Sequence, residues 1–320
     1  MGRVISVTNQ KGGVGKTTTT VNLAAAMAVA ERKTLILDLD PQGNASSALG
    51  VSKDKYEEKN LYHALIGEVP LSEVILPTEL EYLFVAPSNN DLTGAEIELV
   101  TQFAREMKLK NAIAEIKDQY DYIFIDCPPS LGLLTVNALT ASNSYLVPLQ
   151  CEYFALEGLS QLLNTVGLIR QSLNTQLEDE GIVLTMFDGR NNLANEVVKE
   201  VRTHFGQKAF ETVIPRNVRL SECSSFGKPI MLYDIDSKGS IAYLNLAKEM
   251  IQRDLSRQGI VESTQVEQCE NENPEVNTQD AEIPEKVETE TLEVIAATTQ
   301  APENIQPEIQ EIGLEAQNSN

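Results

Sequence analysis

The sequence has no apolar run long enough to cross a bilayer, which takes roughly 18–20 consecutive residues. The longest candidate, residues 21–30, is too short and follows a glycine-rich loop in a segment of helical character. The N-terminus lacks the basic, apolar, small-residue order of a signal peptide, so the expected location is the cytoplasm. Paired cysteines are also missing. Cys127, Cys151, Cys223 and Cys269 stand singly, and without a C-x-x-C spacing there is no zinc, iron–sulfur or redox motif. They read as four reduced thiols. No repeat is evident.

Positive charge is scarce, with a net charge of −22. That looks unpromising for a nucleic-acid protein until the charge is mapped. Residues 261–320 hold fifteen Asp or Glu against one basic residue, Lys286, and carry −14; residues 1–260 carry only −8. The last segment also contains Pro274, Pro284, Pro302 and Pro307 and no aromatic residue. Its apolar surface is too small to offset the entropy of ordering. Residues 258–320 are therefore expected to be an acidic, disordered tail, and residues 1–257 the folded domain.

Within residues 1–257, short β-branched or aliphatic runs at 4–8, 34–38, 82–87, 122–126, 144–149 and 182–187 alternate with turn residues and segments of helical spacing. Near-continuous apolar runs are the mark of strands buried on both faces. Their alternation with helices predicts an α/β fold: a doubly wound, mostly parallel sheet with helices on both sides. Residues 240–257 have helical spacing and should close the domain.

The first strand runs into Asn9-Gln10-Lys11-Gly12-Gly13-Val14-Gly15-Lys16-Thr17-Thr18. The end matches the phosphate-loop pattern G-x-x-x-x-G-K-[ST], with Gln10 in place of the first glycine. Glycines let backbone N–H groups turn inward around phosphate oxygens, and the helix that follows points its positive end at the same anion. Lys16 is expected to neutralise the β- and γ-phosphates of ATP, and Thr17 to place its hydroxyl on Mg²⁺. Two carboxylate motifs follow. Asp38-Leu39-Asp40-Pro41-Gln42-Gly43-Asn44 lies at the end of the second predicted strand, facing the crevice where such sheets bind ligands. A carboxylate there can orient a water molecule for in-line attack on a phosphoryl group. Four apolar residues then lead to Asp126, the expected Walker B acid for Mg²⁺.

Taken together, Lys11-Gly12-Gly13-Val14-Gly15-Lys16-Thr17-Thr18, the Asp38–Asn44 run and Asp126-Cys127-Pro128-Pro129-Ser130 resemble the deviant Walker A ATPases, which include ParA/Soj, MinD and the nitrogenase iron protein. The resemblance implies an ATP-dependent homodimer in which Lys11 reaches the phosphates of the other subunit. It also implies that Asp40 positions the attacking water, that Asp38 supports the Mg²⁺ network, and that the loop after Asp126 senses the γ-phosphate near the dimer seam. The expected ATP site is then residues 11–18 with Pro215, Arg216 and Asn217 near the adenine. Thr17, Asp40 and Asp126 are expected around Mg²⁺, and Lys11, Lys16 and Asp40 are the catalytic set.

The second half narrows the resemblance to ParA/Soj chromosome- and plasmid-partition ATPases, over about residues 1–255. Pro148–Gly158 is similar to P-x-Q-x-E-x-x-x-L-x-G, Thr185–Arg190 to the D-x-R turn, and Ile214–Glu222 to I-P-R-N-x-[KR]-L-S-E. Cys223-Ser224-Ser225-Phe226 departs from the usual A-P-S-H. A MinD-like membrane switch would need a basic amphipathic C-terminal helix, where this sequence has an acidic tail; no membrane partner is expected. The family implies non-specific binding to double-stranded DNA by Arg190 and Arg219, with Lys199, Arg202 and Lys228 as lesser candidates. Residues 186–230 carry seven basic against five acidic residues. It further implies hydrolysis stimulated by a ParB/Spo0J-type centromere-binding protein, slow intrinsic turnover and a nucleoid-associated location. Since the sequence begins at its first strand, the short form, without an operator-binding extension, is expected.

Overall fold

The computed structural model describes residues 2–152, 155–257 and 259, all within the first of the chain's two units, Met1–Glu262. The expected tail lies outside the described residues, apart from Gly259.

Eight strands form one sheet: β1 Arg3–Val7, β2 Thr34–Asp38, β3 Leu76–Pro77, β4 Leu83–Ala86, β5 Tyr122–Asp126, β6 Ser144–Gln150, β7 Glu178–Phe187 and β8 Ala209–Pro215. The helices are α1 Lys16–Val29, α2 Asn44–Ala48, α3 Leu61–Ile66, α4 Leu92–Glu98, α5 Lys108–Ala114, α6 Leu133–Ala141, α7 Ala155–Ser172, α8 Asn192–Phe205, α9 Val218–Ser225, α10 Ile230–Tyr233 and α11 Lys238–Arg257. The spatial order is β3-β4-β2-β5-β1-β6-β7-β8. Every pairing is parallel except that of β3 with β4, which leaves a two-residue antiparallel strand at one edge. The mostly parallel α/β sheet expected from the alternation is present.

The central strands explain themselves. The five residues of β2 and the five of β5 are all buried, because helices cover both faces and no position is left for water. On one face, the small side chains of Ala24, Ala25, Ala26 and Ala28 let α1 lie close to the sheet and to α11, which contributes Tyr243, Leu246, Ala247 and Met250. On the other, α3 to α6 bury Leu61, Leu92, Leu99, Leu109 and Leu134 against Leu35, Leu37 and Ile123. A third apolar cluster joins α7 and α8 to β6 and β7.

Two strands lie outside the sequence-based list. β3 is two residues long and carries a proline. In β8, Ala-Phe-Glu-Thr-Val-Ile-Pro mixes burial and exposure at the sheet edge, so it never shows a continuous apolar run. The closing helix α11 starts two residues earlier than expected. β1 sits between β5 and β6, and the carboxyl ends of these three strands and β2 define the crevice where an open α/β sheet takes its ligands.

Candidate nucleotide site

At the carboxyl end of β1 the chain leaves through a loop that needs two left-handed residues. Gly13 has φ +74° and Gly15, the N-cap of α1, has φ +89°. Both are glycines, the residue that adopts this region without a Cβ penalty. Asn9 fixes the loop from beneath: its Nδ2 donates to the Pro148 carbonyl at 2.8 Å and its Oδ1 accepts from Lys11 N at 3.0 Å. Thr185 Oγ1 donates to the Val14 carbonyl at 2.8 Å. The loop is thus tied to both β6 and β7.

Lys16 is buried, and its Nζ donates to the Lys11 carbonyl at 3.2 Å, spanning the loop. Burial lowers its pKa, against the opposing pull of Asp126 and Asp40. The next residue, Thr17, donates through Oγ1 to Asp126 Oδ2 at 2.7 Å, and Thr20, one turn on, donates to Asp126 Oδ1 at 2.9 Å. Asp126 ends β5 directly opposite Asp38 at the end of β2. Asp38 accepts from Ser46 N at 2.7 Å and Ser46 Oγ at 2.6 Å, and its Oδ1 is buried with no partner. Both carboxyls have raised pKa values, chiefly because burial penalises the charge and then, for Asp126, because Asp38 lies beside it. Among the described residues neither of these adjacent buried carboxylates forms an ion pair, and with Lys16 as a neighbouring cation the two make a site with surplus negative potential, which a divalent ion would relieve.

Asp40 is also buried. It accepts from Gln42 N at 3.0 Å, and its carbonyl accepts from Ser88 Oγ at 2.7 Å. From the loop a cavity of about 370 Å³ extends past Gly15 and Thr18 to Pro215, Arg216 and Asn217. The structure therefore brings residues 11–18, Asp38, Asp40 and Asp126 to one end of the sheet, with the 215–217 segment beside them. Met186, which lines the same cavity, has φ +53°, a conformation unusual for a side chain of its size.

Lys11 behaves differently from Lys16. Its Nζ is paired with Glu152 Oε2 at 3.2 Å, and Gln150 Nε2 braces the other oxygen of Glu152 at 2.6 Å. Sequence reasoning missed this role for Glu152, as it missed Thr20 and Ser46 as donors to the two carboxylates. Thr20 lies one helical turn from Lys16, and that spacing could have found it. Ser46 and Glu152 depend on how separate strands end together.

The comparisons agree with the geometry. A family model described as an AAA domain matches residues 2–179. The chain is 59% identical over 254 residues to the chromosome partitioning protein ParA of Myxococcus xanthus, covering 79% of this chain and 89% of that one. It is 56% identical over 250 residues to the sporulation initiation inhibitor protein Soj of Bacillus subtilis, covering 78% and 98%. The chain belongs to the ParA/Soj family of P-loop ATPases. Among solved structures, cobyrinic acid a,c-diamide synthase from Mycobacterium smegmatis with bound ADP and magnesium matches with a TM-score of 0.70 at 36% identity, covering 81% of this chain and 97% of that one.

The two arginines expected at DNA on the ParA/Soj resemblance are exposed and held in ion pairs. Arg190 has a side chain 91% exposed and grips Asp188 with two hydrogen bonds, at 2.9 and 2.7 Å. That contact holds the Asp188 carboxyl at about 2. Arg219 is more restrained, between Glu222 at 3.0 Å and Asp234 at 3.3 Å, with its guanidinium 6.0 Å from the centre of the Tyr233 ring. Arg202 and Lys228 are paired with Glu211 and Glu79, both at 3.3 Å. Among the described residues, no helix is long and apolar enough to cross a membrane.

Proposed function

We propose that this protein is an ATP-driven DNA-partition switch. It binds ATP with Mg²⁺, pairs with a second copy, holds double-stranded DNA without sequence preference while ATP is intact, and lets go on hydrolysis. A ParB-type centromere-binding protein accelerates that hydrolysis, and the cycle moves or positions replicated chromosomal or plasmid DNA. The protein acts in the cytoplasm, on the nucleoid.

What supports the reading above all is the meeting of Lys16, Thr17, Asp40 and Asp126 at one end of the sheet, with Thr17 already 2.7 Å from Asp126. In this reading the inward-turned amides of residues 12–18 and Lys16 hold the phosphate chain. Residues 215–217 close over the adenine. Thr17 and Asp126 hold Mg²⁺, which supplies charge neutralisation at the phosphates. The described carboxylates and histidines form no self-sufficient metal cage of three or more. That suits a cation that arrives with phosphates and uses one or two protein ligands. Asp40 orients the attacking water, and Lys11 exchanges Glu152 for the phosphates of the other subunit. With Asp40 as the only group on the water, turnover stays slow until the partner completes the site.

Arg190 and Arg219 supply phosphate contacts. Exposed ion pairs such as Arg190–Asp188 are weak, so DNA phosphates can compete with them. Two copies double a modest patch, which makes binding wait for ATP and makes it steeply dependent on salt.

The test is retention of a random-sequence duplex with ADP, with ATP, and with ATP plus Asp40→Ala, at two salt concentrations. The expected result is retention with ATP only, prolonged in the variant and weakened by salt. Equal retention in ADP and ATP, or none in any state, would overturn the switch.

A further inference from the structure

After α4 the chain makes an unusual projection. Ile97, Val100 and Phe103 recur every third residue, and they are 74%, 55% and 96% exposed. Among the described residues Phe103 is the most exposed large apolar side chain. The projection is braced. Ala104, next to Phe103, has φ +51° and ψ +37°, the left-handed region that non-glycine residues avoid. The backbone on either side is fixed by side chains. Arg105 Nη1 donates to the Val100 carbonyl at 2.7 Å, and Asn137 Nδ2 on α6 donates to the Arg105 carbonyl at 2.9 Å. A strained turn held from both sides to keep a phenylalanine in solvent has the features of an interface anchor.

Its position says what covers it. The Glu96 carboxylate rests on Gly132, so closely that a Cβ there would overlap it. Gly132 ends the loop that begins at Asp126 and leads into α6. The apolar ridge therefore continues the rim of the nucleotide face. That face also carries charged and glycine-rich parts: the phosphate loop, Lys11 and Glu152. Each folded domain also carries a net charge of −8, so two copies brought together there repel unless apolar burial offsets it.

Resting on the ATP-dependent pairing proposed above, we infer that the Ile97–Val100–Phe103 ridge is the apolar anchor of that dimer, covered by the second copy. A two-fold contact is self-complementary, so each ridge is buried once per subunit and every substitution acts twice. The ridge also joins pairing to the loop after Asp126, since Glu96 connects the two.

The test compares three proteins by sedimentation velocity with Mg²⁺ and ATP. They share Asp40→Ala to keep ATP intact and carry no further change, Phe103→Asp or Phe103→Leu. A fluorescent ATP analogue measures nucleotide binding by each. Because Phe103 is solvent-exposed, folding is unaffected by its replacement. We expect the parent and Phe103→Leu to dimerise, while Phe103→Asp binds the analogue equally but dimerises at least about 30-fold more weakly. Unchanged dimerisation of Phe103→Asp overturns the inference while leaving ATP-dependent pairing intact. So does unchanged dimerisation combined with loss of the response to a ParB-type protein, which would assign the ridge to that partner. A parent that stays monomeric in ATP overturns the pairing itself.

Discussion

The two ends of the sheet bury charge in opposite ways. At the amino ends of the strands, Glu180 and Asp254 are almost fully enclosed, and each is met by arginines. Arg3 bridges both, Arg257 reaches them at 3.1 and 3.3 Å, Ser144 donates to Glu180 at 2.7 Å, and Tyr122 donates to Asp254 at 2.7 Å. At the carboxyl ends, Asp38 and Asp126 are just as buried but face each other, held by hydroxyls and an amide, and among the described residues neither has an ion-pair partner, Lys16 being a neighbouring cation. The first cluster is complete and joins β1, β6, β7 and α11. The second is incomplete, and its missing component is positive charge. Buried charge that is fully paired fastens a fold, whereas buried charge left in surplus marks where a ligand enters.

Exchanging what is removed at each end breaks the comparison most sharply. Asp40→Ala should lower ATP turnover by roughly 10²–10⁴-fold, the range for losing a group that handles the reacting proton or water, with little change in thermal stability. Glu180→Ala should do the reverse. Leaving Arg3 and Arg257 without their shared carboxylate should cost about 3–5 kcal/mol of stability, read by denaturant unfolding, while turnover per folded molecule is retained. If either variant showed both effects, the two ends would not be separable.

A smaller effect is expected where the chain leaving α2 meets the chain leaving α9. Gly50 and Gly227 pack back to back, both with positive φ. A Cβ on Gly50 would lie 2.6 Å from the Gly227 carbonyl oxygen, and one on Gly227 would lie 2.7 Å from the Gly50 Cα. Gly50→Ala or Gly227→Ala should each destabilise by about 1–3 kcal/mol, measurable as a fall in unfolding midpoint.

The surplus at the nucleotide end also predicts a pH response. Asp38 and Asp126 titrate higher when folded than when unfolded. Below about pH 4 both states are protonated and the pair contributes nothing. As pH rises from there toward neutrality the unfolded chain loses these protons first, so the magnesium-free protein should lose stability through that window. Asp126→Asn should flatten the response. Smallest of all, Arg190→Ala should leave stability unchanged and reduce the salt slope of DNA retention by about one for each phosphate it no longer neutralises.

Most of the nucleotide end was legible in the sequence, because each part is local. The glycine loop, Lys16-Thr17 and Asp126 lie at strand ends whose apolar runs announce themselves, and the order of the motifs fixes their meeting. The amino-end cluster was not legible. Arg3, Glu180 and Asp254 are far apart in the chain and come together only through the strand order β5-β1-β6-β7 and the return of α11. The Lys11–Glu152 pair and the Ser46 donors depend in the same way on register. β8 escaped notice because an edge strand need not be apolar throughout. The Phe103 ridge was hidden for a different reason: apolar residues at helical spacing normally read as core, and only the left-handed turn at Ala104 reveals that this stripe faces out.

The most direct test of the account is the thermal midpoint of the wild type, Asp126→Asn and Glu180→Gln, each with and without Mg²⁺ and a non-hydrolysable ATP analogue, with EDTA as the control. Ligand that binds only the folded state raises the midpoint. The account predicts a clear rise for wild type and for Glu180→Gln, abolished by EDTA, and little or none for Asp126→Asn. An equal, magnesium-dependent rise in Asp126→Asn would contradict it, because the surplus carboxylate would then not be what the cation comes to meet.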